Sequence, residues 1–153
     1  MKIEEKLTSY ETLLHIKNVA TLLISVATEL QKRATIHDQS KLEEPELSTF
    51  VEFTPKLSAS TYGSTEYKQF LIDMKPALEH HYAENRHHPE HHQHGINDMN
   101  LMDLIEMLCD WKAATLRHND GDIQKSILIN KERFGITDQL VAVLQNTVLA
   151  WKY

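Results

Sequence analysis

Glycine and proline are scarce in this chain: four of each are spread over 153 residues. A sheet of many strands needs more of these residues at its turns, so their scarcity favours long helices. Apolar residues recur at intervals of three and four, which is the period of a helix with one buried face. We therefore expect an all-α fold, a single compact domain of about six helices covering residues 1–153.

The bounds of the expected helices follow from this periodicity and from capping residues. Residues 3–33 form one or two helices, and a further helix near residues 44–53 has Pro45 in its first turn. Residues 56–64 form a loop that ends in the N-cap Ser64, and the next helix covers residues 65–86 because Pro89 disfavours helical geometry before it. Three last helices cover residues 101–118, 122–133 and 137–151, the latter two capped by Asp122 and Thr137.

Composition and charge restrict the class of protein. Hydrophobic residues make up 41% and charged residues 25% of the chain, as in soluble globular proteins. The formal charge of -6 and the lack of a basic stripe argue against binding to nucleic acid. Apolar runs such as residues 22–24 are far shorter than a membrane span. We expect a cytoplasmic protein that does not associate with membranes.

Histidine is unusually frequent and clustered. Seven of the ten histidines lie between His80 and His94. Because Cys109 is the single cysteine, a disulfide within the chain and a cysteine-rich zinc site are excluded, and His, Asp and Glu would have to hold a metal.

Two histidine pairs, His80-His81 and His87-His88, are seven residues apart. This spacing is nearly two helical turns, so one histidine from each pair can face the same site. The alternative is a polar surface tract, to which we assign His91, His92 and His94.

His37 and Asp38 place a nitrogen and a carboxylate side by side at a helix start, where both can reach one divalent cation. Asp38 can equally be a plain N-cap. His15 shares a helical stripe with Val19 and Leu22, so we expect it to point into the interior. There it is either a metal ligand or a core histidine with a hydrogen-bond partner.

Three carboxylates, Asp103, Glu106 and Asp110, lie on one face of the helix expected over residues 101–118. We interpret Asp103 and Glu106 as part of the solvated face. Asp110 differs because the small Ala113 and Ala114 beside it would let a metal approach closely. A ligand set of such nitrogen and oxygen atoms suits Mn, Fe, Co, Ni or Zn.

The order of these residues, His, then His-Asp, then further His, then Asp on successive helices, resembles the HD-domain superfamily of metal-dependent phosphohydrolases. The stretch HDQSK at residues 37–41 is similar to the HD-x-G-K box of that superfamily, with Ser40 in place of the usual glycine. Together with HHYAENRHHPEH and LIEMLCDWKAA, it also resembles a small group of uncharacterised phage and bacterial HD-like proteins. That similarity covers most of the chain.

The resemblance implies a role for each matching residue. It makes His15, His37, Asp38 and Asp110 the ligands of a first metal. His81 and His88 would match the extra histidines of two-metal members, with His80 and His87 as the alternatives. Asp38 would bridge the two ions, and Lys41 would face the phosphate of the substrate.

The activity implied is hydrolysis of a small phosphate ester, such as a nucleotide monophosphate or a cyclic nucleotide, by a hydroxide held on one or two divalent ions. Manganese, iron, cobalt, nickel and zinc suit the ligands, and magnesium is also acceptable. The metal and Lys41 would offset the charge on the phosphoryl oxygens, and Glu106 or a histidine would move the proton.

Two other functions are compatible with the same fold. Some relatives hold a di-iron centre that activates oxygen, and such a protein would retain iron and absorb visible light when oxidised. A module of phage origin that binds a ligand or a partner without catalysis is the other alternative, in the host cytoplasm. The oligomeric state is not predicted.

Overall fold

The N-terminal helix α1 is a single helix of 34 residues, Ile3–Ile36. It opens a computed structural model that describes residues 3–61, 64–117 and 121–151. At 1.5 Å per residue the helix is about 51 Å long. None of its residues is buried, and His15 is exposed. The prediction that His15 points into a core is therefore wrong for this structure, because a single helix has no core of its own.

Helix α1 is also the one described helix with the length and composition of a membrane span. Ile3–Leu42 contains an 18-residue window of mean hydropathy 1.3, none of which is buried. The sequence prediction overlooked this window because it considered only uninterrupted apolar runs. One such helix near an N-terminus is weak evidence for a membrane span, since core helices and signal sequences have the same properties. The finding is compatible with a soluble protein.

The chain divides into two compact units, Met1–Ile36 and His37–Tyr153. The prediction of one domain is untested by this division and stays a prediction. The second unit contains the α-helices α2 (Glu46–Ala59), α3 (Thr65–Asp73), α4 (Lys75–Glu84), α5 (Leu101–Thr115), α6 (Ile123–Phe134) and α7 (Asp138–Ala150). Short 3-10 helices cover Gln39–Leu42, Pro89–His91 and Gly95–Asp98. With no strand among the described residues, the fold is all-α as predicted.

Helices α5, α6 and α7 enclose the main apolar core of the second unit. Six buried side chains form this core: Leu108, Ile123, Ile127, Ile136, Val141 and Leu144. Burial of each such side chain stabilises the fold by about 1.5–3 kcal/mol. Trp111 stacks on Phe134 at the edge of the core, with 6.3 Å between the ring centroids. This packing fixes helix α5, whose other side carries carboxylates.

Helices α2, α3 and α4 form a second packed group. Phe53, Met74 and Ala77 are buried in it, and Phe53 meets Phe70 edge to face at 6.0 Å. The 3-10 helix Gln39–Leu42 contacts both α2 and α4. The turn that carries His37 and Asp38 is thereby placed next to the histidines of α4.

The helix predicted over residues 65–86 is two helices, α3 and α4, which meet at Met74. Pro76 lies at the start of α4, where its missing N–H costs nothing. In one continuous helix its ring would clash with the carbonyl of Ile72. The apolar periodicity continues across this break, so it concealed the break at the sequence level.

Two other predicted bounds differ from the structure. Helix α2 extends to Ala59, so the first part of the loop predicted over residues 56–64 is helical. Tyr62 and Gly63 of that loop, and His118 at the predicted end of α5, lie outside the described residues.

The predicted N-caps are confirmed. The side chain of Ser64 accepts a hydrogen bond from the backbone N–H of Tyr67 at 3.1 Å. Asp122 accepts from Gln124 at 2.8 Å, and Thr137 caps α7.

Candidate metal centre

His37 and Asp38 form the turn between α1 and the first 3-10 helix. Asp38 adopts a left-handed backbone conformation, with φ 57° and ψ 15°, and its side chain makes no capping hydrogen bond. Asp38 therefore occupies the N-cap position, as one interpretation expected, but its side chain does not cap the helix. Non-glycine residues are uncommon in this conformation, which Asp adopts more readily than most, and such residues cluster at active sites and ligand clamps.

Three histidines come from the end of α4 and the turn that follows it. His81 lies on α4, whereas His87 and His88 follow its end at Glu84. The rings of His87 and His88 lie 4.1 Å apart, centroid to centroid. The two histidine pairs were predicted to meet because they lie two helical turns apart. They meet instead because the helix ends at Glu84, and Asn85 is extended and starts a tight turn.

Helix α5 contributes Glu106 and Asp110. Glu106 Oε1 lies 3.0 Å from His37 Nδ1 and 3.3 Å from His87 Nδ1. The other ring nitrogen of His37, Nε2, lies 3.8 Å from Asp110 Oδ1. Glu106 was predicted to lie on the solvated face, but the structure places it in the cluster.

Asp103 is likewise buried rather than solvated. Its carboxylate accepts a hydrogen bond from the backbone N–H of Asn100 at 3.0 Å, and Asn100 accepts one from the backbone of Asp103. This reciprocal capping box starts α5, so Asp103 has a structural role.

Asp38 lies at the centre of the cluster. Its Oδ1 atom lies 3.3 Å from His81 Nε2 and 3.5 Å from His87 Nε2, and its Oδ2 atom lies 3.6 Å from His37 Nε2. Potential metal-ligating atoms occur in one group of Asp38, His81, His87 and His88, and in another of His37, Asp38 and Asp110. Asp38 belongs to both groups. Its Oδ1 atom faces His81 and His87 of the first group, and its Oδ2 atom faces His37 of the second.

Two buried polar atoms of the cluster test whether a cation fits. Among the residues that the structure describes, Asp38 Oδ1 and His87 Nε2 are buried without a hydrogen-bond partner, although buried polar groups almost always have one. They lie 3.5 Å apart. Two ligands at about 2.1 Å from one ion are separated by about 3.0–3.5 Å at ordinary coordination angles. A cation between them would satisfy both atoms.

The pKa values show that the cluster favours positive charge. Hydrogen bonds to Asp110 and Glu106 raise the pKa of His37 to about 10. The charge of Asp38 also raises this pKa, whereas burial lowers it. Burial would raise the pKa of Asp38, but the His81 ring and the charge of Lys41 hold it well below its usual range. Surroundings that stabilise a proton on an imidazole this strongly also stabilise a metal cation.

Two further pKa values agree with a ligand role. Burial opposes ionisation of Asp110, but His37 outweighs it and keeps the pKa of Asp110 below its usual range. Burial and the neighbouring His87 and His81 lower the pKa of His88 to about 3. Asp110 is therefore ionised and His88 neutral at neutral pH, which are the forms that bind metals.

Lys41 lies at the edge of the cluster. Its Nζ atom lies 2.6 Å from Asp38 Oδ2 and 5.2 Å from the centroid of the Phe50 ring. The side chain is 32% exposed, so its ammonium group remains accessible from solvent.

The structure brings together most of the residues singled out in the sequence: His37, Asp38, Lys41, His81, His87, His88, Glu106 and Asp110. His80 is different, because its Nδ1 atom lies 2.8 Å from Glu46 Oε1 and it belongs to neither ligand group that contains Asp38. His15 lies on α1, in the first unit. Its role as a ligand is untested and stays a prediction.

Glu46 was missed in the sequence. It is completely buried and contacts both His80 and His81. A glutamate in the first turn of a helix is common for electrostatic reasons alone, so its sequence position did not distinguish it.

Comparison with known proteins identifies the family of this chain. No curated protein and no solved structure matches this chain. A family model described as "Family of unknown function (DUF5662)" matches residues 4–150, which is nearly the whole chain. The chain therefore belongs to the DUF5662 family.

Proposed function

We propose that this protein is a divalent-metal-dependent phosphohydrolase that acts on a small phosphate ester such as a nucleotide. The observation that supports this most is the pair of unpartnered buried atoms, Asp38 Oδ1 and His87 Nε2, which face each other within a cluster of further ligand atoms. Such a cluster is costly to bury unless it binds a cation.

The ligands proposed for one ion are Asp38, His81, His87 and His88. His37 and Asp110, with the second oxygen of Asp38, are the ligands for another ion. These nitrogen and oxygen donors suit Mn, Fe, Co, Ni or Zn. A cation bound there would supply Lewis acidity and lower the pKa of water toward neutrality.

Lys41 is the proposed contact for the substrate phosphate. Its ammonium group is next to Asp38 and partly exposed, so it can approach a phosphoryl oxygen held at the cluster. A positive charge at that position stabilises the negative charge that phosphoryl transfer concentrates on those oxygens.

Glu106 has an orienting role in this proposal. Burial opposes its ionisation, but His37 and His87 lower the pKa of Glu106 to about 2. A carboxylate with this pKa stays ionised at neutral pH and is a poor proton acceptor. It is better suited to hold the Nδ1–H groups of His37 and His87 than to the proton transfer suggested by the sequence.

A small substrate suits the charge of the protein. The formal charge of -6 disfavours a long polyanion, whereas one phosphate needs only the local positive charge of Lys41 and the cation. A nucleotide substrate also agrees with the proposed cytoplasmic location.

The test is phosphate release from nucleoside monophosphates and cyclic nucleotides with Mn²⁺, Co²⁺, Ni²⁺ or Mg²⁺ added to the chelator-treated protein. We expect metal-dependent release that Asp110→Asn abolishes and Asp73→Asn, an exposed carboxylate on α3, leaves unchanged. Stoichiometric metal without release from any substrate would contradict the hydrolase and leave an oxygen-activating or binding role. Absence of metal binding would contradict the centre itself.

A further inference from the structure

Glu46 is a completely buried carboxylate outside both ligand groups that contain Asp38. It lies in the first turn of α2 and faces α4. Its Oε1 atom lies 2.8 Å from His80 Nδ1, and its Oε2 atom lies 2.9 Å from His81 Nδ1. Burial of a carboxylate is costly unless its oxygens are hydrogen-bonded, and these two histidines supply the bonds.

The hydrogen-bond pattern determines which nitrogen of His81 carries the proton. An ionised carboxylate only accepts hydrogen bonds, so the proton between Glu46 and His81 lies on Nδ1. Asn85 Nδ2 is also 3.0 Å from this atom, but its two N–H groups donate to Ser40 Oγ and His81 O, both at 2.8 Å. Asn85 therefore does not compete for Nδ1 as a donor.

Ser40 is the other neighbour of His81 Nδ1, at 3.2 Å. If its hydroxyl donated to Nδ1, a bare nitrogen lone pair would lie 2.9 Å from the Glu46 carboxylate. That arrangement is repulsive in a buried site. The Nδ1–H form of His81 is the one that satisfies the carboxylate.

With Nδ1 donating to Glu46, Nε2 of His81 can present its lone pair to a cation bound in the cluster, which would lie between it and Asp38. This Nε2 atom lies 3.3 Å from Asp38 Oδ1 and 2.9 Å from His88 Nε2. Two imidazole nitrogens at that separation are accommodated when both bind one cation. Glu106 holds the Nδ1 atoms of His37 and His87 in the same way from α5.

We infer that Glu46 is a positioning residue of the proposed metal centre, which fixes the tautomer and ring orientation of His81 so that its Nε2 atom is a ligand. The inference rests on the proposed function. Carboxylates that orient ligating histidines typically contribute 10- to 100-fold to metal affinity. His80 has an anchoring role, because it holds the second oxygen of Glu46.

The first experiment compares Zn²⁺ affinity, by competition with a chelator, in wild-type, Glu46→Gln and Glu52→Gln chains. Glutamine has nearly the same shape as glutamate but accepts through one oxygen only, so the Nδ1–H groups of His80 and His81 cannot both be satisfied. Glu52 is the matched control because it lies exposed on the same helix, paired with Lys56. We expect Glu46→Gln to bind Zn²⁺ roughly 10- to 100-fold more weakly and Glu52→Gln to bind as the wild type does.

The second experiment needs no variant at the site, so it decides the question even if Glu46→Gln fails to fold. Two-dimensional ¹⁵N NMR of the wild-type chain loaded with Zn²⁺ reports which nitrogen of each histidine carries a proton, and we expect His81 to carry its proton on Nδ1. A proton on Nε2, or equal Zn²⁺ affinity in folded wild-type and Glu46→Gln chains, would overturn this inference alone. Failure of the wild-type chain to bind Zn²⁺ would overturn the metal centre, and this inference with it.

Discussion

At the scale of single residues, the site depends on how carboxylates and imidazoles share protons. His37 is the clearest case, because Asp110 and Glu106 raise its pKa to about 10. A group whose pKa is higher in the folded than in the unfolded state stabilises the fold while it is protonated in both states.

The free energy of unfolding of the chelator-treated chain should therefore fall as pH rises. The contribution of protonated His37 is complete below its unfolded pKa of 6.5 and is lost as pH approaches about 10. This contribution is measured by denaturant unfolding of the wild-type and His37→Gln chains at several pH values in this range. A wild-type stability that follows the same pH dependence as the variant would be inconsistent with the raised pKa.

Lys41 allows a matched comparison between two lysines that each pair with a carboxylate at 2.6 Å. Lys41→Met should lower kcat/KM for the phosphate ester by about 10- to 1,000-fold, because it removes a charge that stabilises the transition state. Lys56→Met, on the exposed side of α2, should leave kcat/KM unchanged. Steady-state kinetics of both variants check this, and equal losses would remove Lys41 from the proposed site.

Most of the site residues could be predicted from the sequence because their types are unusual and clustered. His37, Asp38 and Asp110 follow from residue type and from their place on expected helices. The resemblance favours His81 over His80, but the residues alone leave the choice open, because it depends on α4 ending at Glu84 and on which histidine faces Asp38. Glu46 could not be found because its significance arises from the packing of α2 against α4.

At the scale of elements, α5 connects the core to the site. Leu108 is buried in the core on one side, whereas Glu106 and Asp110 face the cluster on the other. The helix begins at Asn100, whose side chain accepts hydrogen bonds from Met102 and Asp103 at 2.9 and 3.0 Å. The position of Glu106 and Asp110 thus depends on a well-formed start of α5.

Asn100→Ala should lower the free energy of unfolding by about 1 kcal/mol, because it leaves two backbone N–H groups of α5 without their acceptor. Asn97→Ala, at a nearby exposed position, is the control and should have little effect. Urea unfolding measured by circular dichroism compares the two variants with the wild type. Equal stability of all three chains would refute the capping role of Asn100.

Sequence periodicity predicts where helices lie but not where a helix is interrupted. Periodicity predicts α5, α6 and α7 to within a few residues, and the caps Asp122 and Thr137 explain where α6 and α7 begin. It misses the break at Met74, since the apolar pattern continues there while Pro76 interrupts the backbone. Periodicity reports which residues can share a buried face and says little about backbone continuity.

At the scale of the whole molecule, the division into two units bears on the metal centre. All residues of the described ligand groups lie between His37 and Asp110, within the second unit. The apolar pattern of α1 predicts a buried face, but none of its residues is buried. This is why the orientation of His15 was not predicted correctly.

His15→Ala in the full chain tests the ligand role of His15: if the described ligand groups of the second unit are sufficient, Zn²⁺ affinity stays unchanged. A chain of residues 37–153 should also bind Zn²⁺ if circular dichroism shows that it is helical. Isothermal titration measures both. A large loss of affinity in His15→Ala would instead support the ligand role that the resemblance to HD-domain proteins implies.

The measurement that tests the central claim most directly is the metal content of the full chain after dialysis against Mn²⁺, Co²⁺ or Zn²⁺. Asp38→Asn is the decisive variant, because asparagine tolerates the left-handed backbone of Asp38 but removes the charge shared by both ligand groups. We predict stoichiometric metal in the wild type and in the exposed control Asp73→Asn, and its loss in a folded Asp38→Asn chain. A wild type without metal, or an Asp38→Asn chain that retains it, would contradict the account.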